Sequence, residues 1–546
     1  MNLFTVFIVS LFLTIAVVPV FKRLAFRMHI VDVPDERKVH VMPMPKTGGI
    51  SLFIGAFIPM LIWAPRDLFF TSVLMGSILI FIFGLVDDIK PMRARQKIIP
   101  QAAAALIVIL FGGVKITCVG VFAAPECVLP VYLSVPLTLF VILGVTNAIN
   151  LADGLDGLAG GLSMLSFVLI VFLAHKCGNV QIALMAMAMV GAIAGFLRFN
   201  THPAVLFMGD AGSQLLGFLL VVFTIVITQT NAPYSKLMAL PIIGFPILDT
   251  LTVMVERIMK KRSPFKADKN HFHHKLIDFG FFHSEAVLII YIIQALFIGL
   301  AVIFRYYSGW VHLGGFLFLS CIILFSMYWG RRKKWAFRRD GYFDTFIKKQ
   351  LKVLKEKNIF IRLSFGVLKY GFILVLLWQV MIPAQIPLYF SSISIALILM
   401  ISGCCLIFKG RFKEPVLRLC IYMVIPLLIY MTEADPGPWM NVSWHFINNV
   451  FFIFLVISVV MTLNLTRRRE GFKITTMDIL VFIVVLIFPN LPSMHLLEIN
   501  AGTTLAKVLV MFFSYDVLAG ELRGKLNGVV RPFLVVLCLL VLRGFI

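Results

Sequence analysis

Apolar runs of about 20 residues recur from end to end of this chain, and as an α-helix each run is long enough to cross about 30 Å of hydrocarbon. Of the 546 residues, 60% are apolar and only 14% are charged. Soluble domains contain about 25% charged residues, so the composition is that of a membrane protein. The sequence therefore predicts an all-α fold, a polytopic bundle of transmembrane helices.

About eighteen such runs can be counted, and a boundary near residue 330 divides them. The eleven runs before it lie near 2–21, 49–64, 67–86, 101–120, 131–149, 158–174, 181–197, 204–229, 237–256, 286–304 and 311–329. The seven or so after it lie near 360–383, 388–408, 415–431, 445–466, 477–490, 503–520 and 528–544. Side chains suited to chemistry are concentrated before residue 280. The sequence thus predicts a catalytic domain at 1–330, a basic amphipathic cytoplasmic linker at 331–362 and a transmembrane extension of unknown function at 363–546.

The net charge of +23 is carried by loops that alternate along the chain. The loops after the first and third runs hold clusters of Lys and Arg, among them Lys46 and Lys97, whereas the loops between them hold almost none. This is the positive-inside pattern of membrane proteins, and it explains the charge better than nucleic-acid binding does. It predicts that the basic loops are cytoplasmic and that the amino terminus faces outward.

Two adjacent carboxylates, Asp87 and Asp88, lie where the third apolar run meets a basic loop. Carboxylates about 4 Å apart repel each other by about 4 kcal/mol at an effective dielectric constant of about 20, so a cation is their natural partner. Magnesium, which joins carboxylates to phosphates, fits best. A solvated helix end also carries Asp residues without any ligand, and for this pair alone both interpretations stay open.

A polar stretch, TNAINLADGLDGLAGG at 146–161, separates the fifth and sixth runs. Its members Asn150, Asp153 and Asp156 recur at every third position, so neighbouring members can share one face of a helix. Gly154 and the glycines after it allow the backbone to approach a ligand closely. Asn, Asp and Gly often form only a turn, but carboxylates between apolar spans are costly and usually functional.

Two further motifs supply an acid, an aromatic ring and imidazoles. In RFNTHPAVLFMGDAGS, Asp210 begins an apolar helix and Phe207 offers a face on which a base could stack. In NHFHHKL, His271, His273 and His274 stand among lysines, which disfavours zinc and favours an anion site for phosphate oxygens. The simpler alternative for the first motif is an Asp that caps a helix beside a Phe of the core. For the second motif it is a solvated basic loop.

The shared location of the motifs supports a functional interpretation of each. Acidic groups for a metal, basic and imidazole groups for phosphates and an aromatic ring for a base all fall on loops that the charge pattern assigns to one face of the membrane. The proline-stiffened loop at 32–49, with Lys46, adds positive charge there, which anion docking and membrane anchoring explain equally well. The sequence therefore favours metal-assisted phosphoryl transfer at the inner membrane surface.

Residues 1–330 resemble the polyprenyl-phosphate N-acetylhexosamine-1-phosphate transferases, the superfamily that includes WecA and MraY. The resemblance rests on DxPxxRKxH followed by PKTGG, the Asp87-Asp88 pair, NLADGLDGLAGG, FMGDAGS and HFHH, in the family's order. It implies transfer of a sugar 1-phosphate from a UDP-sugar to undecaprenyl phosphate, with release of UMP, as the initiating step of cell-envelope polysaccharide synthesis. It also implies Mg²⁺ as the cofactor, with Mn²⁺ as an alternative, and a place in the cell inner membrane. A homodimer is left open.

The family's motifs imply roles for particular residues. Asp210 matches a metal ligand, and Asp87 and Asp88 match positions beside the reacting phosphates, with Asp87 as a further metal ligand. Asp87 deprotonates the lipid phosphate in one family mechanism, whereas an aspartate is a covalent nucleophile in another. The positions that match contacts to the uridine or sugar are Asn150, Gly154, Asp156, Asn200 and Phe207. The other matched active-site positions, near the diphosphate and sugar, are Asp153, Lys46, Lys97, His271, His273 and His274.

The spacing of the histidines bears on the sugar. The pattern H-x-H-H at 271–274 resembles the WecA branch, which favours UDP-N-acetylglucosamine, whereas the MraY branch has three consecutive histidines. A phospho-N-acetylmuramoyl-pentapeptide transferase is the alternative enzyme. The large number of spans also suggests a transporter of lipid-linked sugars, although the acidic and histidine motifs of 1–330 cluster on one face and do not follow a path through the midplane.

Overall fold

The computed structural model describes residues 3–28, 30–32, 43–120, 128–229, 233–261, 263, 271–333, 358–407, 413–465, 501–522 and 527–545. These residues divide into two compact units, one within 3–333 and one within 358–545. Apart from one short ribbon and an isolated bridge, the regular structure of the described residues is helical. The predicted all-α class is confirmed for this part of the chain.

The first unit contains thirteen α-helices among its described residues. They are α1 (Leu3–Arg27), α2 (Gly48–Trp63), α3 (Leu68–Ile89), α4 (Ala94–Leu110), α5 (Val131–Ala152), α6 (Leu158–Lys176), α7 (Val180–Asn200), α8 (Gly209–Gln229), α9 (Ala239–Ile242), α10 (Gly244–Met259), α11 (Phe272–Asp278), α12 (His283–Ile303) and α13 (Gly309–Arg332). A 3₁₀ turn at Lys236–Met238 precedes α9. Strands β1 (Val31–Asp32) and β2 (Met44–Pro45) pair in an antiparallel ribbon, with Val31 opposite Pro45.

Many of these helices are long and apolar enough to cross a membrane. Ten helices in the described part of the chain meet this condition, or eleven if Lys236–Ile242 and Gly244–Met259, which are bent by 79°, form one broken span. The protein is therefore a polytopic membrane protein. The total of about eighteen spans stays a prediction, and the run at 477–490 lies outside the described residues.

Helix α4 differs from the run predicted at 101–120. It begins at Ala94, where Gln96 Oε1 accepts the N–H of Arg93 at 2.9 Å, and it ends at Leu110. Gly113, with φ of +68°, adopts the left-handed conformation that commonly follows a helix end. A count of apolar residues could not detect the polar first turns of this helix. Lys97 therefore lies on a helix and not in the predicted loop.

The core of the first unit is centred on α8. The apolar window of this helix is 94% buried, and α2, α3, α5 and α6 pack around it. The carboxyl ends of α3 and α5 meet the amino end of α8 at the same end of the bundle. The polar residues at these three helix ends are thereby brought together.

The second unit is a smaller helical bundle. Its described helices are α14 (Asn358–Met381), α15 (Leu388–Ile407), α16 (Lys413–Ala434), α17 (Val442–Leu465), α18 (Ala501–Leu522) and α19 (Asn527–Phe545). They share a core of buried apolar residues. Two polar pairs join helices inside it: Gln379 donates to Asn448 at 2.7 Å, and Lys507 pairs with Glu433 at 2.5 Å.

Candidate active site

The amino terminus of α8 is capped by a side chain from α3. Asp88 Oδ1 accepts the N–H of Asp210 at 2.9 Å, and Asp88 Oδ2 accepts the N–H of Ala211 at 3.1 Å. Both oxygens thus satisfy N–H groups that the start of a helix leaves unpaired, and the helix dipole favours negative charge there. Gly209 has φ of +73°, and a Cβ at this position would lie 2.4 Å from Asp88 Oδ2. The close approach therefore requires glycine at position 209.

The ammonium group of Lys97 bridges two carboxylates. Its Nζ pairs with Asp87 Oδ2 and lies 3.1 Å from Asp210 Oδ2. Asp87 Oδ1 accepts the N–H of Met92 at 2.6 Å, so the turn between α3 and α4 orients this carboxylate. Two carboxylates that share one ammonium keep a net negative charge. Such a cluster attracts a further cation.

Helix α5 reaches the same point through Asn150, whose Nδ2 donates to Asp210 Oδ1 at 2.6 Å. One turn earlier on α5, Asn147 Nδ2 donates to Gln101 Oε1 at 2.9 Å, and Gln101 Nε2 donates to Gln214 Oε1 at 2.9 Å. This row of amides joins α4, α5 and α8 in the interior and restricts how they can move against one another. Asp210 is therefore held from several helices at once.

Asp153 follows α5 and carries a half-buried carboxyl group. Within the described ranges, no hydrogen bond or ion pair with another residue reaches this side chain. Burial raises the pKa of the Asp153 carboxyl to about 7, and the nearby charges of Asp210, Asp88 and Asp156 act in the same direction. The cluster therefore carries more negative charge than the cationic side chains of the described residues balance.

Asp156 is held by two imidazoles. His202 Nδ1 donates to Asp156 Oδ2 at 2.8 Å, and the N–H of Ala204 donates to the same oxygen at 3.1 Å. The backbone N–H of Asp156 donates to His283 Nε2 at 2.9 Å. Burial alone would raise the pKa of Asp156, but the hydrogen bonds from His202 and Ala204 outweigh it, so the pKa lies below its usual value. The group is a carboxylate at neutral pH.

Asn200, predicted to contact the uridine or sugar, is buried and binds the backbone. Its Oδ1 accepts the N–H of Gly157 at 3.0 Å, and its Nδ2 donates to the carbonyl of Leu206 at 3.0 Å. The carbonyl of Gly157, in turn, accepts a hydrogen bond from Tyr291 Oη at 2.7 Å. Asn200 and Tyr291 thus fix the turn at 153–157 at its last residue. A direct contact between Asn200 and a substrate stays a prediction.

The histidine motif lies at the start of α11, where a carboxylate from α10 holds it. Asp249 Oδ2 accepts a hydrogen bond from His271 Nδ1 at 2.9 Å, and Asp249 Oδ1 accepts the N–H of Phe272 at 2.8 Å. The rings of His271 and His273 are nearly parallel, with centroids 5.8 Å apart. Burial, together with the charge of His274, lowers the pKa of His273 to about 3. His273 is therefore a neutral imidazole at physiological pH.

The histidine motif lies against Gly154, in the turn at 153–157. A Cβ at this position would lie 2.4 Å from His273 Nε2, so a larger residue would displace the imidazole. The motifs at 146–161 and 271–274, which are far apart in the sequence, therefore meet in one place. This is the convergence that their shared membrane face predicted.

Lys46 and Phe207 lie where β2 meets the loop before α8. Lys46 Nζ pairs with Asp32 Oδ1 at 3.0 Å. The N–H of Phe207 donates to the carbonyl of Pro45 at 2.8 Å, and its carbonyl accepts the N–H of Gly48 at 3.0 Å. These bonds place the basic loop beside the start of α8. The other basic residues of that loop, at 33–42, and those at 264–270 lie outside the described residues.

Three residues of the site were not predicted from the sequence. Asp249 lay within the run predicted at 237–256, and a carboxylate among apolar residues was a signal that could have identified it. His202 lies within the motif at 198–213, but nothing in that motif indicated its contact with Asp156, and His283 lay outside every motif. The contact between His283 and Asp156 joins residues 127 positions apart, and no sequence pattern relates them.

The fold and the site define an integral membrane protein with a cluster of polar side chains at one end of its helical bundle. The cluster combines several carboxylates, the ammonium of Lys97 and the neutral imidazole of His273. Carboxylates recruit a divalent cation, and cations together with N–H donors hold phosphate oxygens. The arrangement is suited to phosphoryl transfer.

Comparison with known proteins agrees with this class. Residues 70–228 match the family described as Glycosyl transferase family 4. A Bacillus subtilis protein described as a probable undecaprenyl-phosphate N-acetylglucosaminyl 1-phosphate transferase is 35% identical over 325 residues, which cover 59% of this chain and 89% of the relative. An undecaprenyl-phosphate alpha-N-acetylglucosaminyl 1-phosphate transferase of Yersinia pestis is 32% identical over 346 residues, 62% of this chain and 93% of the relative. The chain belongs to glycosyl transferase family 4, and the resemblance seen in its motifs is confirmed.

Proposed function

We propose that this protein transfers N-acetylglucosamine 1-phosphate from UDP-N-acetylglucosamine to undecaprenyl phosphate and releases UMP. The observation that carries the proposal is the convergence of Asp87, Asp153 and Asp210 with Lys97 where the ends of α3, α5 and α8 meet. The sugar and the lipid are those in the names of the Bacillus subtilis and Yersinia pestis relatives. These names favour N-acetylglucosamine over muramoyl-pentapeptide and favour a transferase over a transporter.

Mg²⁺ is the cofactor that suits the carboxylates of this site. Asp153 has no counter-charge among the described residues, and Asp87 and Asp210 share a single ammonium. Carboxylate oxygens suit Mg²⁺, and Mn²⁺ is the second choice. Asp210 and Asp87 would hold the ion with Asp153 beside it, and a bound ion would neutralise charge that develops on the diphosphate.

The proposed transfer forms one bond and breaks another at the β-phosphorus of the donor. An oxygen of the lipid phosphate bonds to this phosphorus, and the bond to the oxygen that leaves with UMP breaks. Asp87 would accept the proton of the lipid phosphate, and Lys97 would hold phosphate oxygens by charge-assisted hydrogen bonds. Because both oxygens of Asp88 cap α8, we assign Asp88 to holding Asp210 in place.

The covalent alternative, in which an aspartate is the nucleophile, can be separated from direct transfer by isotope exchange. A covalent intermediate would form without the lipid and would let labelled UMP enter UDP-N-acetylglucosamine. Direct transfer requires the lipid phosphate in the same step, so no label would be exchanged in its absence.

The test of the reaction is UMP release by the purified full-length protein. With Mg²⁺ and UDP-N-acetylglucosamine, UMP should appear only when undecaprenyl phosphate is present, and Asp210→Asn should abolish its release. Asp67→Asn is the matched control, because Asp67 caps the other end of α3, where its Oδ1 accepts the N–H of Phe70 at 2.7 Å. Release without the lipid, or no release with any UDP-sugar, would refute the proposal.

The proposed location is the inner membrane, with the site on the cytoplasmic side and the amino terminus outside. The alternation of basic and uncharged loops supports this orientation. Lys90→Cys in a cysteine-free background, placed at the exposed end of α3, should react with an impermeant thiol reagent only after the cells are permeabilised. Labelling in intact cells would show that the orientation is the opposite of the one proposed. The homodimer stays a prediction.

A further inference from the structure

His283, the first residue of α12, reaches across to the turn at 153–157. Its Nε2 accepts the backbone N–H of Asp156 at 2.9 Å. His202 holds the side chain of the same residue, because its Nδ1 donates to Asp156 Oδ2 at 2.8 Å. Asp156 is therefore fixed twice, at its backbone by one imidazole and at its carboxylate by the other.

The two imidazoles also support each other. Their rings are stacked, with centroids 4.4 Å apart and planes inclined by 17°. An acceptor atom at Nε2 requires that His283 carry its proton on Nδ1, and a carboxylate partner requires that His202 carry one on Nδ1. The stack therefore fixes both the orientation of the rings and the atoms that they present to Asp156.

A metal site is the competing interpretation of these three side chains. One ligand atom from each of Asp156, His202 and His283 can be chosen so that all three lie within 4.8 Å of one another. However, rings that are nearly parallel and face to face direct their in-plane lone pairs side by side and do not converge on one ion. Asp156 Oδ2 and His283 Nε2 also already accept hydrogen bonds from the protein. The contacts favour positioning over metal binding.

We propose that His283 and His202 are a positioning pair that presents Asp156 to the nucleotide-sugar donor. The inference rests on the proposed function and specifies how its donor is recognised. Asp156 Oδ2 is occupied by His202 and Ala204, whereas Oδ1 receives no hydrogen bond from the described residues. The pair thereby directs Oδ1 to an N–H or O–H group of the donor, and the charge on the carboxylate strengthens that hydrogen bond.

The test uses variants that keep or remove one hydrogen-bonding atom. His283→Gln keeps an acceptor near the position of Nε2, and His202→Asn keeps a donor near the position of Nδ1. His283→Phe and His202→Phe keep a flat ring but lose that atom. His175→Gln is the control, because His175 is exposed at the far end of α6 from this turn.

Binding of UDP-N-acetylglucosamine to the full-length protein with Mg²⁺ would be measured by calorimetry, and KM would be measured for the donor and for the lipid. In both Phe variants the donor Kd and KM should rise by about tenfold, the size expected when a charged hydrogen-bond acceptor is misplaced. The KM for the lipid should not change. In the Gln, Asn and control variants the donor Kd and KM should stay within about twofold of the wild-type values.

Three results would overturn the inference. Unchanged donor binding in both folded Phe variants would remove the pair from donor recognition while leaving the proposed function intact. Tightly bound zinc or manganese in the purified protein that is lost in His283→Phe would make the three groups a metal site. If the unchanged protein neither binds nor consumes any UDP-sugar, the proposed function fails, and the inference fails with it.

Discussion

Asp88 on α3 and Asp210 on α8 are joined by a hydrogen bond of 2.9 Å from the N–H of Asp210 to Oδ1 of Asp88, across 122 positions of sequence. The preceding residue, Asp87, pairs instead with Lys97 of α4. Successive residues of a helix point about 100° apart, so two adjacent carboxylates can serve different neighbours. The Asp87-Asp88 motif is therefore not one bidentate site but two groups that hold α4 and α8.

Removing the cap at Asp88 should cost activity as well as stability. Asp88→Ala leaves the first N–H groups of α8 unpaired, which should lower the free energy of unfolding by about 1 kcal/mol. It also releases Asp210, so UMP release should fall by at least about a hundredfold, as when a positioning group is lost. Thermal unfolding in detergent and the UMP assay measure the two effects.

The control for this change is Asp67→Ala, which removes the cap of α3 far from the site. It should produce a similar loss of stability with little loss of turnover. Equal turnover in the two variants would show that the cap of α8 has no special link to catalysis.

Removing the unpaired carboxylate of Asp153 should raise the thermal stability of the metal-free protein and reduce the stabilisation that Mg²⁺ adds. The Asp153→Asn protein loses a repulsive charge, so without metal its melting temperature should rise by about 2 °C. The further stabilisation that Mg²⁺ produces in the wild-type protein should become smaller in the variant, because stabilisation by a bound ligand at a given concentration decreases as its Kd rises. Asp278→Asn, at an exposed position of α11, should change neither quantity.

Lys97 should compete with Mg²⁺ for the oxygens of Asp87 and Asp210. Replacing it by Gln removes a positive charge from these oxygens, so the affinity for Mg²⁺ should rise by about tenfold. Turnover should nevertheless fall, because the phosphate oxygens lose an ammonium partner. Calorimetric titration with Mg²⁺ and the UMP assay would show this divergence. A weaker affinity for Mg²⁺ would place the ion away from Lys97.

The neutral state of His273 should make the protein less stable in acid. Its pKa is about 3 in the folded protein against 6.5 for the free group. Between these values the unfolded chain binds more protons, so stability is complete above pH 6.5 and falls as the pH is lowered towards 3. The loss should approach about 1 kcal/mol per pH unit. His273→Gln should lose less stability between pH 7 and pH 5, as measured by thermal unfolding at each pH.

Asp249 should be needed for activity although it was not predicted. Asp249→Asn removes the charge that holds His271 and should lower kcat by about tenfold or more, since the imidazole loses its fixed tautomer and orientation. Glu256→Gln is the matched change on the same helix, where the carboxylate pairs with Lys275 at 2.6 Å. That variant should lose stability and retain kcat. Full activity of Asp249→Asn would exclude His271 from the reaction.

Much of the fold and of the site could be predicted from apolar runs and short motifs in the sequence. The apolar runs identified α3, α5 and α8 to within a few residues, and the motifs contained Asp87, Asp153, Asp210 and His273, which the structure brings together. The start of α4 was missed because its first turns are polar. The contact of Asn200 with the uridine or sugar stays a prediction, and its hydrogen bond with the backbone of Gly157 could not be inferred from its sequence motif.

The sequence by itself determined that this chain forms membrane helices and which polar groups it has for phosphate chemistry, because apolar length and residue type are local properties. Only the tertiary structure decided which groups meet. The cap from Asp88 to α8, the hold of Asp249 on His271 and the contact of His283 with Asp156 all depend on which helix ends pack side by side. The close approach of those ends is set by packing around α8, and no local pattern encodes it.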